Sequence, residues 1–175
     1  MSQDRKPHRL HDFFGGLTEQ TFEAKLGVAD PPLVDYLVEL LVRFVRTESM
    51  FITRSQIGER MVEVADLVAE AEHRIGEARR AVHRQIGDFT LFWAGVYPEA
   101  LHHLRAADRK DRFIDYRAQG KLAYRIASTI PTDNDAENEV LERLSHDFDM
   151  CLYGLGEVRR EWEQRGGESS VIFVV

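Results

Sequence analysis

Between residues 141 and 162 the apolar side chains fall at Leu141, Leu144, Phe148, Cys151, Leu155, Val158 and Trp162, in alternating steps of three and four. A strand buries every second residue, so this spacing belongs to a helix packed lengthwise against others along a heptad seam. The same period recurs upstream. Turn signals at Gly15-Gly16, 27–32, Pro98, 131–134 and Gly166-Gly167 cut the chain into pieces of helical length.

A short helix is expected near 18–25. Asp30 then offers its side chain as the cap of a second helix that opens with Pro31 and Pro32, whose missing amide donors cost nothing there. That helix runs to about 47 and carries a polar stripe of Asp35, Glu39, Arg43 and Arg46, read as mutually paired surface charges. A third helix over 58–73 is amphipathic, with Met61, Val64, Ala65, Val68 and Glu72 on one side.

The fourth, over 76–96, has Val82, Ile86, Phe89, Trp93 and Val96 on one face and Gly87, Leu91 and Gly95 on the other. Apolar on both sides, its second half should lie at the centre of the fold, with the glycines admitting close neighbours that offset their cost of about 1 kcal/mol each. A fifth helix is expected over 111–130, presenting Phe113, Tyr116, Gly120, Ala123, Tyr124 and Ala127, and a sixth over 133–165, capped by Thr132 or Asp133. The fold class is therefore all-α: a single-domain helical bundle over residues 1–175, of five to six helices around a buried central helix. Residues 1–17 read as a flexible N-terminal arm, and 166–175 as an apolar, β-prone tail ending Val171-Ile172-Phe173-Val174-Val175.

At 175 residues the chain is long enough to bury a core without staples, and its single cysteine, Cys151, excludes an internal disulfide framework. No apolar run approaches the roughly 18 residues of a membrane span, and the opening MSQDRKPHRLHDFF lacks the apolar core of a secretory signal. A cytoplasmic location is expected. The net charge of −7 argues against nucleic acid as the partner, because that affinity comes from clustered Lys and Arg. Residues 105–125 carry seven basic and three acidic side chains, and residues 133–165 carry four and ten, so the two segments should face each other.

Glu70/His73 and Glu99/His102 have the Glu-x-x-His spacing of bundle metal sites. The first pair lies opposite its helix's apolar face and the second falls just after Pro98, so no metal and no cofactor is expected. His102 and His103 are adjacent and cannot chelate from one face; His8 and His11 lie in the expected arm. Cys151 sits in the seam, where a thiol is buried and inert. Asp88 is different. It stands on the central helix beside Phe89, where a carboxylate must be paired or protonated, with Arg43, Arg84 and Arg125 as possible partners. Asp88, Trp93, Tyr97, Tyr116 and Arg125 form the candidate ligand-binding set: an apolar, aromatic lining with a few polar groups.

The phrases ADPPLVDYLVELLVRFVRTESMF (29–51), GDFTLFWAGVYPE (87–99) and RFIDYRAQGKLAY (112–124) resemble an uncharacterised bacterial family of all-helical proteins. The resemblance covers most of the chain, implies a helical fold and carries no activity. The function expected is a non-enzymatic protein-interaction or regulatory bundle with a protein partner or a second copy, and no membrane. The alternative is a small-molecule binder or enzyme with its pocket beside 87–99, where Asp88 would act as acid, base or anchor.

Overall fold

The computed structural model describes the backbone of residues 5–55 and 63–166 and the side chains of residues 9–46 and 63–166. Every regular element among them is helical: α1 (Arg5–Glu19), α2 (Pro31–Ser55), α3 (Val64–Glu72), α4 (Gly76–Val96), α5 (Leu101–Leu104), α6 (Tyr116–Thr129), α7 (Asp135–His146) and α8 (Phe148–Arg165). A π-helical turn, Gln20–Lys25, continues α1, and 3₁₀ turns span Pro98–Ala100 and Lys110–Phe113. The all-α class holds, and the five to six expected helices become eight. Pro98 stops α4 and starts the short turn leading into α5, and the sixth expected helix breaks in two at Asp147. There φ and ψ are −100° and 24°; the Asp147 amide donates to Arg143 at 2.8 Å while its carbonyl accepts from Cys151 at 2.9 Å, closing one helix and opening the next.

The chain divides into two compact units. One comprises Met1–Met61 with Gly154–Val175, the other Val62–Tyr153. In the first unit, helix begins at Arg5 where an arm was expected, and Phe14 and Leu17 are buried. Phe14 meets Trp162 edge-on, with ring centroids 5.2 Å apart. Phe22, on the π turn, presses on Gly154 of α8, where a Cβ would stand 2.7 Å from its Cε2. Gly27, at φ 68°, ends the turn, since a left-handed residue lets the Val28 amide reach back to the Phe22 carbonyl at 2.8 Å. Asp30 caps α2 through the Leu33 amide at 3.2 Å. The residues of the polar stripe are exposed, and Glu39 takes His11 of α1, at 2.8 Å, as a partner.

In the second unit α3 and α6 pack on α4, and α7 packs on α6. Over its second half α4 is buried on nearly every side, including Ile86, Gly87, Asp88, Thr90, Leu91, Phe92, Trp93, Gly95 and Val96. Gly87 faces the Tyr124 ring, while Thr90 and Phe148 converge on Gly120, so numbering rises along α4 as it falls along α6 and the two are antiparallel. Thr90 keeps its own hydroxyl bonded to the Ile86 and Gly87 carbonyls at 2.8 and 3.0 Å. The expected fifth helix starts later, at Tyr116, with Asp115 as its cap through the Ala118 amide at 3.1 Å. Asn134, rather than Thr132 or Asp133, caps α7 through the Glu137 amide. Residues 58–62 of the expected third helix and the apolar tail from Val171 lie outside the described residues. Among the described residues no helix is long and apolar enough to cross a membrane.

Candidate functional site

Periodicity along α4 delivers Asp88 into the interior of the second unit, where it is 3% exposed. A carboxylate so placed needs donors, and it has them. The Tyr124 hydroxyl on α6 donates to Asp88 Oδ1 at 2.7 Å, and Arg84, one turn earlier, holds its Nε 3.9 Å from Oδ2. Arg84 also pairs with Glu137 of α7, whose second oxygen lies 3.2 Å from buried Arg80. Arg80 donates to Asn138 at 3.0 Å, and Asn138 to the Ile130 carbonyl at 3.0 Å. The chain of polar groups therefore runs Tyr124, Asp88, Arg84, Glu137, Arg80, Asn138, and ties α4, α6 and α7 together. Of the three expected arginines, Arg84 is seen to reach Asp88. Arg125 is exposed on α6, and Arg43 belongs to the other unit.

Trp93, Tyr97 and Tyr116 are all buried, and ring contacts join them. Trp93 and Tyr97 lie 6.0 Å apart with Phe92 touching both; Phe89 bridges Trp93 at 6.3 Å and Tyr116 at 6.1 Å. The structure thus brings four of the five expected residues into one buried region of α4 and α6 and leaves Arg125 outside it. The Trp93 indole N–H is buried without an acceptor among the described residues.

Tyr116 leads to a group that the sequence does not advertise. Its hydroxyl donates to Asp111, a fully buried carboxylate in the 3₁₀ turn ahead of α6. The same carboxylate accepts the Val64 amide at 2.9 Å and the Ala65 amide at 2.8 Å, so it caps α3 from 46 and 47 residues away. Two of the four amides that a helix start leaves unbonded are satisfied this way, and the negative charge suits the helix's positive end. Arg109 to Glu63 at 3.3 Å and Lys110 to Asp66 at 2.6 Å flank the clasp. Burial first, and then the bond to Asp111, push the Tyr116 phenol far above its ordinary 10.0, so it remains a donor at any physiological pH.

No protein-family model, curated protein or solved structure matches the chain.

The remaining candidates are accounted for by position. Glu70 pairs with Arg74 at 3.2 Å, and His73 and Glu99 are exposed. His102 and His103, also exposed, meet edge-on. Among the described residues no three His, Cys, Asp or Glu side chains gather as a metal would require. Cys151 is buried in its seam. The opposite charges of the two late segments meet only in part. Arg117 and Lys121 of α6 grip Asp149 of α8, which holds that carboxyl below its ordinary range, while Glu137 turns to the arginines of α4.

Chemically, both buried carboxylates act as acceptors for fixed donors. Tyr124→Phe, which removes one donor and leaves Arg84 beside Asp88, is expected to cost about 1.5–3 kcal/mol in urea unfolding, the usual scale of one hydrogen bond to a charged group. A loss of under about 0.5 kcal/mol would mean that Asp88 is satisfied without the tyrosine.

Proposed function

We propose that this chain is a non-enzymatic interaction bundle that works through contact with a protein partner or a second copy. The supporting observation is Phe113, an aromatic ring 83% exposed at the 3₁₀ turn ahead of α6, with the Arg112 guanidinium 4.7 Å from its centroid. Aromatic and arginine side chains are the groups that most often anchor protein interfaces, and a ring left in water gains most by being covered. Beside it, Asp111 and Tyr116 are engaged in holding α3, so the turn that presents Phe113 is held from within. Resemblance to helical proteins without assigned activity is compatible with this role, as is a place in the cytoplasm.

Phe113→Ser tests the reading. The variant should melt within about 2 °C of the parent, because an exposed surface side chain contributes little to stability. Sedimentation should show its self-association weakened, or affinity capture should lose a species that the parent retains. If parent and variant remain identical monomers with the same captured species, Phe113 is no anchor and the proposal falls.

A second reading is favoured by Trp93, whose indole N–H, buried beside Phe89, Phe92 and Tyr97, has no acceptor among the described residues. A small ligand bearing a carbonyl would supply that acceptor, with the Tyr116 ring beyond Phe89. Native mass spectrometry of the protein purified without additives tests it: an adduct lost on denaturation supports a ligand there, and a bare chain mass counts against one.

A further inference from the structure

His83 lies on α4 with 8% of its surface exposed, and neither Nδ1 nor Nε2 has a hydrogen-bond partner among the described residues. Buried imidazoles ordinarily keep at least one nitrogen bonded, so this ring behaves as an apolar body with two unused polar atoms. Its place follows from register. Gly87 meets Tyr124 and Thr90 meets Gly120, and one turn back along the same stripe His83 comes opposite Ala127, a fully buried residue of α6.

The carboxylates on the surrounding helices are engaged elsewhere or face water. On α3 and just before it, Glu63 pairs with Arg109, Asp66 with Lys110 and Glu70 with Arg74, and Glu72 is exposed. On α6, Arg117 and Lys121 hold Asp149, and Arg125 is exposed. On α7, Glu137 holds Arg80 and Arg84, and Asp135, Glu139 and Glu142 are exposed. On α4 itself Glu77 pairs with Arg80, Asp88 takes Tyr124, and Arg79 is exposed. None of these carboxylates makes an ion pair with His83.

We propose that His83 is an acid-sensitive device built into the second unit: a proton on its ring creates a buried cation with two N–H donors and no acceptor, and the packing of α4 against its neighbours loosens. Burial first, and then the like charge of Arg79, hold the imidazole below its ordinary 6.5. The folded protein therefore binds fewer protons than the unfolded chain in mildly acid solution. The stability contributed by the neutral ring is complete above pH 6.5 and is lost as pH falls below it.

The experiment compares thermal midpoints of the parent and His83→Met at pH 7.5 and 5.5; methionine fills a comparable volume and carries no titrating group. The parent should fall by at least about 3 °C more than the variant over that interval, the scale expected for a single proton linkage in a chain this long. Equal falls would overturn the proposal. Should His83→Met fail to fold, ring resonances of the parent decide the matter. A His83 signal that stays neutral below pH 6 supports it, and one that titrates at the ordinary 6.5 sinks it.

Discussion

Gly120→Ala is expected to destabilise the protein by about 1–3 kcal/mol, even though alanine is the better helix former by roughly 1 kcal/mol. The added Cβ would stand 2.7 Å from Phe148 Cε2 and closer still to Phe148 Cζ and Thr90 Oγ1. Neither neighbour yields cheaply. Phe148 is fully buried, and the threonine hydroxyl is committed to two carbonyls of its own helix. Overpacking a close-packed contact is therefore the larger effect, and urea unfolding should show a lower midpoint. Gly16→Ala is the control: Gly16 lies inside α1, exposed, with nothing within 4 Å of the new methyl, so only the propensity gain remains and the midpoint should rise. A stabilised Gly120→Ala would show that α6 can back away from Thr90 and Phe148 at no cost.

Asp111→Ala should cost more, about 3–5 kcal/mol. It leaves the Val64 and Ala65 amides and the Tyr116 hydroxyl without an acceptor, and each buried unsatisfied group costs about 1–3 kcal/mol before partial relief by water. Asp111→Asn is the sharper instrument. It keeps the shape but turns one acceptor oxygen into a donor facing donors, so most of the loss should persist. Hydrogen exchange separates local from global failure: the Val64 and Ala65 amides should lose protection first, while the core of α4 keeps its own until the whole unit opens. If Asp111→Asn melts with the parent, the clasp is ornamental and α3 is held by its apolar face alone.

Two kinds of information divide what the sequence made legible from what it hid. Local period and local chemistry were readable. Helix α4 has the limits expected from its pattern, Asp88 is buried as its position requires, and Asp30 caps α2 as the Asp-Pro-Pro run implies. Contacts across the chain were not readable. Nothing near Asp111 marks it as the cap of a helix more than forty residues earlier, because a tertiary cap has no fixed spacing. The break at Asp147 escaped for a different reason. A heptad seam continues through it undisturbed, since α7 and α8 each bury the same stripe, and only the backbone angles of one polar residue interrupt the helix. His83 gives no signal of any kind, because one polar residue among apolar ones has the same pattern whether its nitrogens are bonded or not. Of the expected ligand set, Arg125 was misplaced because only the helical phase of α6 decides whether it faces Asp88 or water.

The glycine notches set a clock. Tyr124 lies with its ring against Gly87 while its hydroxyl is tied to Asp88, and the tip of Phe148 fills the gap left by Gly120. A half-turn of either ring sweeps through space that helix backbone occupies in a close-packed interior, so it needs a momentary parting of the neighbouring helices. The rings can therefore turn no more often than the helices around them part, so their turning rate sets a floor on how often those openings occur.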